Sequence, residues 1–179
     1  MSRTTIATVT ENEHIEIIDT ANLAMDRDDI ALADQRLVDL VPSFADKRGY
    51  GAITLEHLLR MTSGIDFEEE SAAGAMFYYS TDLRARARAY DLKWQPGRHY
   101  EYGSINAQLL WEVLHQRLGG RTVAAYFEER LWDALGAERP AAWSLDSEEH
   151  GVEKFSAGLS ATARDYARLG VLFQHGALF

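Results

Sequence analysis

The longest helical pattern in the chain runs from Gly103-Ser104 to Gly119-Gly120. Within it Leu110, Val113, Leu114 and Leu118 recur at intervals of three and four, which puts them on one face of a helix. A helix with one apolar face must bury it against another element, so this segment demands packing partners. The flanking sequence supplies them. Thr54 is an N-cap for a helix carrying Leu55, Leu58, Leu59 and Thr62, and Ser63-Gly64 ends it. Ser80 caps a segment through Tyr90, in which Arg84, Arg86 and Arg88 spread around the helix and form no basic stripe. Thr122 opens a helix with Val123, Phe127, Leu131 and Leu135, closed by Gly136. Thr162 with Asp165 three residues later forms a capping box ahead of Tyr166, Leu169, Gly170 and Phe173.

The remaining segments read differently. Thr5–Thr10 and His14–Ile18 are β-rich and suggest a hairpin, within a weakly specified lead-in over residues 1–30. From Ala31 the pattern becomes helical, residues 65–79 are irregular, and short strands are expected near Ala142–Leu145 and Phe155–Leu159. The fold class that follows is α+β, mainly helical with few short strands, with a single domain over residues 31–179.

Composition excludes several functions. With 18 basic against 28 acidic side chains, the net charge of −10 argues against nucleic-acid partners, which need phosphate-neutralising cations. Zero cysteines remove thiolate chemistry and disulfides. No apolar run has the ~18–20 residues of a membrane span. Met1-Ser-Arg-Thr-Thr lacks the apolar core of a signal peptide, which favours a cytoplasmic chain while leaving the compartment open. The six histidines show no metal-ligand spacing, so no metal is expected; His99, beside Tyr100 and Tyr102, is the one nearest other candidate chemistry. No phosphate-loop or dinucleotide motif is present, and no cofactor is called for. Glu68-Glu69-Glu70 reads as a solvated charge run.

One segment carries candidate chemistry. Pro96-Gly97 forms a turn that delivers Tyr102-x-Ser104 to the start of the long helix. Side chains at a helix start meet the positive end of its dipole, and a tyrosine there can act as a base.

Ile53-Thr-Leu-Glu-His-Leu-Leu-Arg-Met-Thr-Ser-Gly-Ile-Asp66 closely resembles the signature of serine β-lactamase-like hydrolases. That family includes class C β-lactamases, DD-peptidases, carboxylesterases and 6-aminohexanoate-dimer hydrolases. Tyr102-Gly-Ser104, followed by Asn106 and Leu109-Leu110, is similar to its Tyr-x-Asn or Tyr-x-Ser motif. Arg130–Gly136, Ala157–Gly170 and Asp34–Pro42 resemble further shared blocks in the same order. Ser104 and the Trp143–Leu145 stretch tilt the resemblance towards the 6-aminohexanoate-dimer hydrolases and esterases. The resemblance implies part of the β-lactamase/penicillin-binding-protein-like fold, a small amide or ester substrate, Tyr102 as general base, and Ser104 with Asn106 as substrate-binding residues.

The sequence departs from that pattern at the nucleophile. The family attacks with the serine of Ser-x-x-Lys, whereas the residues three before Lys47, Lys93 and Lys154 are Phe44, Tyr90 and Gly151. The late Lys-Thr-Gly-type strand motif is absent as well. The expectation is therefore a partial chain that holds the tyrosine motif without its nucleophile. Such a chain would be inactive alone and prone to self-association through faces meant for a sheet. The alternative is a non-catalytic helical binding or interaction module.

Overall fold

The computed structural model describes residues 4–9, 15–20 and 34–174. The first two segments are strands β1 (Thr4–Val9) and β2 (Ile15–Thr20), antiparallel with Thr4 opposite Thr20 and Val9 opposite Ile15. The expected hairpin is thus formed, although residues 10–14 lie outside the described set.

The stretch after residue 33 is less helical than its sequence predicts. It holds one four-residue helix, α1 (Leu37–Leu40), and two 3-10 turns at Pro42–Phe44 and Tyr50–Ala52. Pro42, with no N–H to donate, opens the first of these turns after Val41 closes α1, which is the physical reason the pattern breaks. Helix α2 (Leu55–Leu59) starts as expected: the Thr54 hydroxyl accepts from the His57 N–H, and His57 Nδ1 accepts from the Thr54 N–H at 3.1 Å.

Residues 65–79 are not wholly irregular, because α3 (Ala72–Tyr78) lies within them. Its first turn is capped by Ser71, whose hydroxyl accepts from the Gly74 N–H at 3.2 Å. Helix α4 (Leu83–Arg88) is capped by Asp82 and not by Ser80, and it stops two residues before Tyr90. Ser80 instead accepts from the Asp82 N–H, two residues too early to cap the helix.

The long helix α5 (Ser104–Arg117) begins and ends where predicted, but its buried face is wider than the leucine stripe. Leu109, Trp111 and Val113 are buried together with the polar Asn106, Gln108 and Glu112, while Leu110, Leu114 and Leu118 are only half-buried. α5 packs on α1, α2, α4 and α6 around a core that includes Leu37, Tyr50, Leu55, Leu58 and Leu109.

Helix α6 (Val123–Phe127) starts at the predicted Thr122 cap and then widens into a π-helical turn over Glu128–Trp132. That extra residue per turn rotates the face, so Tyr126, Arg130 and Trp132 are buried and Leu131 is only half-buried. Strands β3 (Ala142–Trp143) and β4 (Leu159–Ser160) pair antiparallel close to the predicted positions. The last helix, α7 (Ala163–Gln174), buries Asp165 and Leu172 and leaves the Tyr166 ring exposed. Among the described residues no helix is long and apolar enough to cross a membrane.

Candidate active site

The two sequence segments singled out for their chemistry lie against each other. The chain leaving α2 turns at Met61, which adopts a left-handed φ of 56°, a conformation that strains a residue with a β-carbon. Its carbonyl then faces the second segment and accepts from the Glu101 N–H at 3.0 Å. The Thr62 carbonyl accepts from the Gly97 N–H at 2.8 Å, and the Gly64 carbonyl accepts from the N–H groups of Lys93 and Trp94 at 2.8 and 3.0 Å. Gly64 is obligatory here, since a Cβ would sit 2.3 Å from the Trp94 carbonyl oxygen at a φ of +76°. Four backbone bonds thus hold residues 93–101 along residues 61–64, and Tyr102 follows at once.

Tyr102 is 57% exposed and lines a groove of about 510 Å³ with Glu68, Glu69, Glu70, Ser71 and Glu101. No cation is among these lining residues; Lys93 pairs with Glu101 at 3.5 Å, within the tie that holds the segment.

Ser104 and Asn106 do not line this groove. The Ser104 hydroxyl donates to Glu69 Oε1 at 2.6 Å, and the Ser104 N–H donates to Glu69 Oε2 at 2.6 Å. Asn106 is buried, with its Nδ2 donating to the Gly103 carbonyl at 3.1 Å. Its Oδ1 has no hydrogen-bond partner among the described residues. Of the three residues the sequence nominated, the structure brings Tyr102 to the open surface and puts the other two behind it.

Sequence reasoning missed Glu69. It sat inside an acidic run that reads as solvated, and Glu68 and Glu70 are indeed exposed. The signal available was the irregular segment's position directly after the Thr-Ser-Gly turn, which carries it back to the start of α5. Ser63, another hydroxyl in that turn, is buried, and its Oγ accepts from the Ile65 N–H at 3.5 Å. His99 packs against Trp94 with ring centroids 4.3 Å apart and the ring planes tilted by 37°.

Asp82, Asp146 and His150 place ligand-type atoms within 4.8 Å of one another. Their bonds account for the grouping as a structural tie. Asp146 accepts from the N–H groups of Leu83, Ser147 and Val152, Asp82 caps α4, and His150 Nδ1 meets the Thr81 carbonyl at 2.9 Å.

A family model described as Beta-lactamase matches residues 20–178. Among solved structures, the chain is similar to a Bacillus anthracis protein named a putative 6-aminohexanoate-dimer hydrolase, with a TM-score of 0.68 and 22% identity. That match covers 82% of this chain and 42% of the other. A D-stereospecific amidohydrolase from Streptomyces sp. gives a TM-score of 0.60 at 21% identity, covering 81% of this chain and 54% of that one. A class C beta lactamase gives 0.56 at 19% identity, covering 80% and 43%. The chain therefore spans roughly half the length of these structures, and at such identities the likeness is one of fold. No curated protein matches it.

Proposed function

Because this chain belongs to the beta-lactamase family, we propose that the groove beside Tyr102 is the tyrosine-bearing wall of an acyl-transfer site for a small amide, ester or lactam. The observation that supports this reading is Tyr102 itself. It is a large aromatic residue left open on the rim of a groove, at the start of a 14-residue helix, on a segment strapped to the α2 turn.

Acyl transfer needs a nucleophile, a base, and donors for the oxyanion. In this reading Tyr102 takes the proton released as the nucleophile attacks the carbonyl, then returns it to the leaving group. A tyrosine performs that step at neutral pH with a cation beside it, because phenols titrate near ~10 in water. The groove lining provides carboxylates and no such cation. Ser104 stands behind the groove lining with its N–H and hydroxyl both held by Glu69, and so supports the tyrosine-bearing segment from the start of α5. Asn106 acts from beneath by holding the Gly103 carbonyl.

With no Ser-x-x-Lys among these 179 residues, the chain alone does not turn substrate over. Losing the nucleophile of a well-studied serine-hydrolase triad removes a factor on the order of 10⁶. The test is to incubate the full chain with nitrocefin and with a p-nitrophenyl ester, and separately with a fluorophosphonate probe read by intact mass. No hydrolysis above a heat-treated control and no adduct are expected. A covalent adduct would overturn the inactive reading, and Ser63 and Ser104 are the first positions to map.

A further inference from the structure

Helix α5 has an unusual start. Its cap residue is Gly103, which has no side chain to satisfy the first N–H groups of the helix. The reason lies in the core, since a Cβ at position 103 would sit 3.0 Å from Phe67 Cδ1. Phe67 is buried edge-on against Phe77 and Tyr90, so a serine or aspartate cap would have to displace a packed ring.

Two residues beyond Phe67 the same loop supplies the missing acceptor. Glu69 reaches across 35 positions of sequence and receives both the N–H and the hydroxyl of Ser104, each at 2.6 Å. A carboxylate in that place is also favoured by the helix dipole, typically by about 0.3–1 kcal/mol at a surface site. The backbone of Glu69 is itself held. Gly74 of α3 packs so tightly that a Cβ there would lie 2.2 Å from the Glu69 carbonyl oxygen. The Ser71 hydroxyl donates to the Glu68 carbonyl at 2.7 Å. Glu69 is therefore a fixed acceptor and not a free member of the acidic run.

We propose that Glu69 is a positioning residue for Tyr102: by gripping Ser104 at both its N–H and its hydroxyl, it seats the first turn of α5 and thereby fixes where Tyr102 stands on the groove rim. The inference rests on Tyr102 being the working residue of this wall. Two features of the arrangement follow from it. The Ser104 proton is committed to Glu69, so Ser104 faces other groups as an acceptor only. Glu69, which lines the groove together with Tyr102, joins the loop over residues 66–71 to the tyrosine in one unit.

The test uses the full chain with 3-fluorotyrosine at position 102 and reads its ¹⁹F resonance in the parent, Glu69→Ala, Glu69→Gln and Glu68→Ala. Glu68 lines the same groove without holding Ser104, so its variant controls for the lost charge. The parent should give one narrow line. Glu69→Ala should displace that line, or split it, by more than Glu68→Ala does. Glu69→Gln should displace it less, because its amide oxygen still accepts one Ser104 donor. A line in Glu69→Ala that matches the parent or the Glu68→Ala position would overturn the proposal. If Glu69→Ala loses its cooperative melt, Glu69→Gln decides, and an unmoved line there overturns it. The readout reports where Tyr102 stands and not whether it transfers protons, so its failure is distinct from failure of the acyl-transfer reading.

Discussion

Two helices of this fold each bury a carboxylate, and the two are served very differently. Asp165 of α7 is fully buried and receives the Glu138 N–H at 2.9 Å, the Thr162 hydroxyl at 2.7 Å and the Arg168 guanidinium at 2.7 Å. Those donors hold its carboxyl below the usual carboxylate range, the Glu138 N–H contributing most. Among the described residues Glu112 of α5 pairs with one cation, Arg84, at 3.4 Å, with Asp146 and Asp82 nearby. Burial pushes its carboxyl up to about 7, because Arg84 does not offset the loss of water. A buried charge stabilises a fold when several donors meet it and weakens the fold when one distant partner does.

The consequences have opposite signs in pH. Asp165 binds its proton more weakly when folded, so it supports the fold above its unfolded pKa, and that support is lost as pH falls. Glu112 binds its proton more tightly when folded. Its contribution is complete below the ordinary carboxylate value and drains away as pH rises towards about 7.

The harshest way to break this comparison is to remove what surrounds Glu112. Trp111 is buried, donates its Nε1–H to Glu153 Oε2 at 2.8 Å, and lies under the Arg84 guanidinium. Trp111→Ala should cost about 3–5 kcal/mol in chemical denaturation, whereas Val171→Ala on the exposed side of α7 should stay within about 0.5 kcal/mol.

A milder change sharpens it. Glu112→Gln should raise the melting temperature at pH 8 and remove the decline between pH 5 and 7. At about 1.4 kcal/mol per pKa unit, the gain is on the order of 3–4 kcal/mol. An unchanged pH profile in this variant would show that Glu112 is better compensated than its contacts indicate.

A smaller effect than at Glu112 is expected at the α7 cap. The Thr162 hydroxyl accepts from the Asp165 N–H at 3.2 Å and donates to its carboxylate. Thr162→Ala should cost about 1 kcal/mol. It should also move the acid-side loss of stability to higher pH, because Asp165 then has one donor fewer.

The α7 start was legible in the sequence, because a cap and its partner sit three residues apart and need no tertiary information. The same holds for the caps at Thr54 and Thr122 and for the Pro96-Gly97 turn that leads to Tyr102. What stayed hidden depends on contacts across the chain. The leucine stripe of α5 gave the right helix and a poor account of its burial, since Gln108 and Glu112 are buried by pairing with distant groups. Gln108, for instance, donates to the Glu153 carbonyl at 3.0 Å. The π-helical turn after Phe127 shifted the buried face by one residue, which no periodicity of 3.6 anticipates. At the candidate site, Tyr102 was legible from its motif and its turn. Glu69 was not, because its partner Ser104 is 35 residues away and its neighbours are ordinary solvated glutamates.

In the function proposed above, the Tyr102 groove is the part of this chain that meets a small acyl substrate. The most direct test is a ¹H–¹⁵N chemical-shift titration of the full chain with a short linear amide, N-acetyl-6-aminohexanamide, repeated with Tyr102→Phe. Saturable shifts confined to residues 68–71 and 101–104, weakened in the variant, are expected. Shifts centred elsewhere, or no saturable shift at any position, would contradict it.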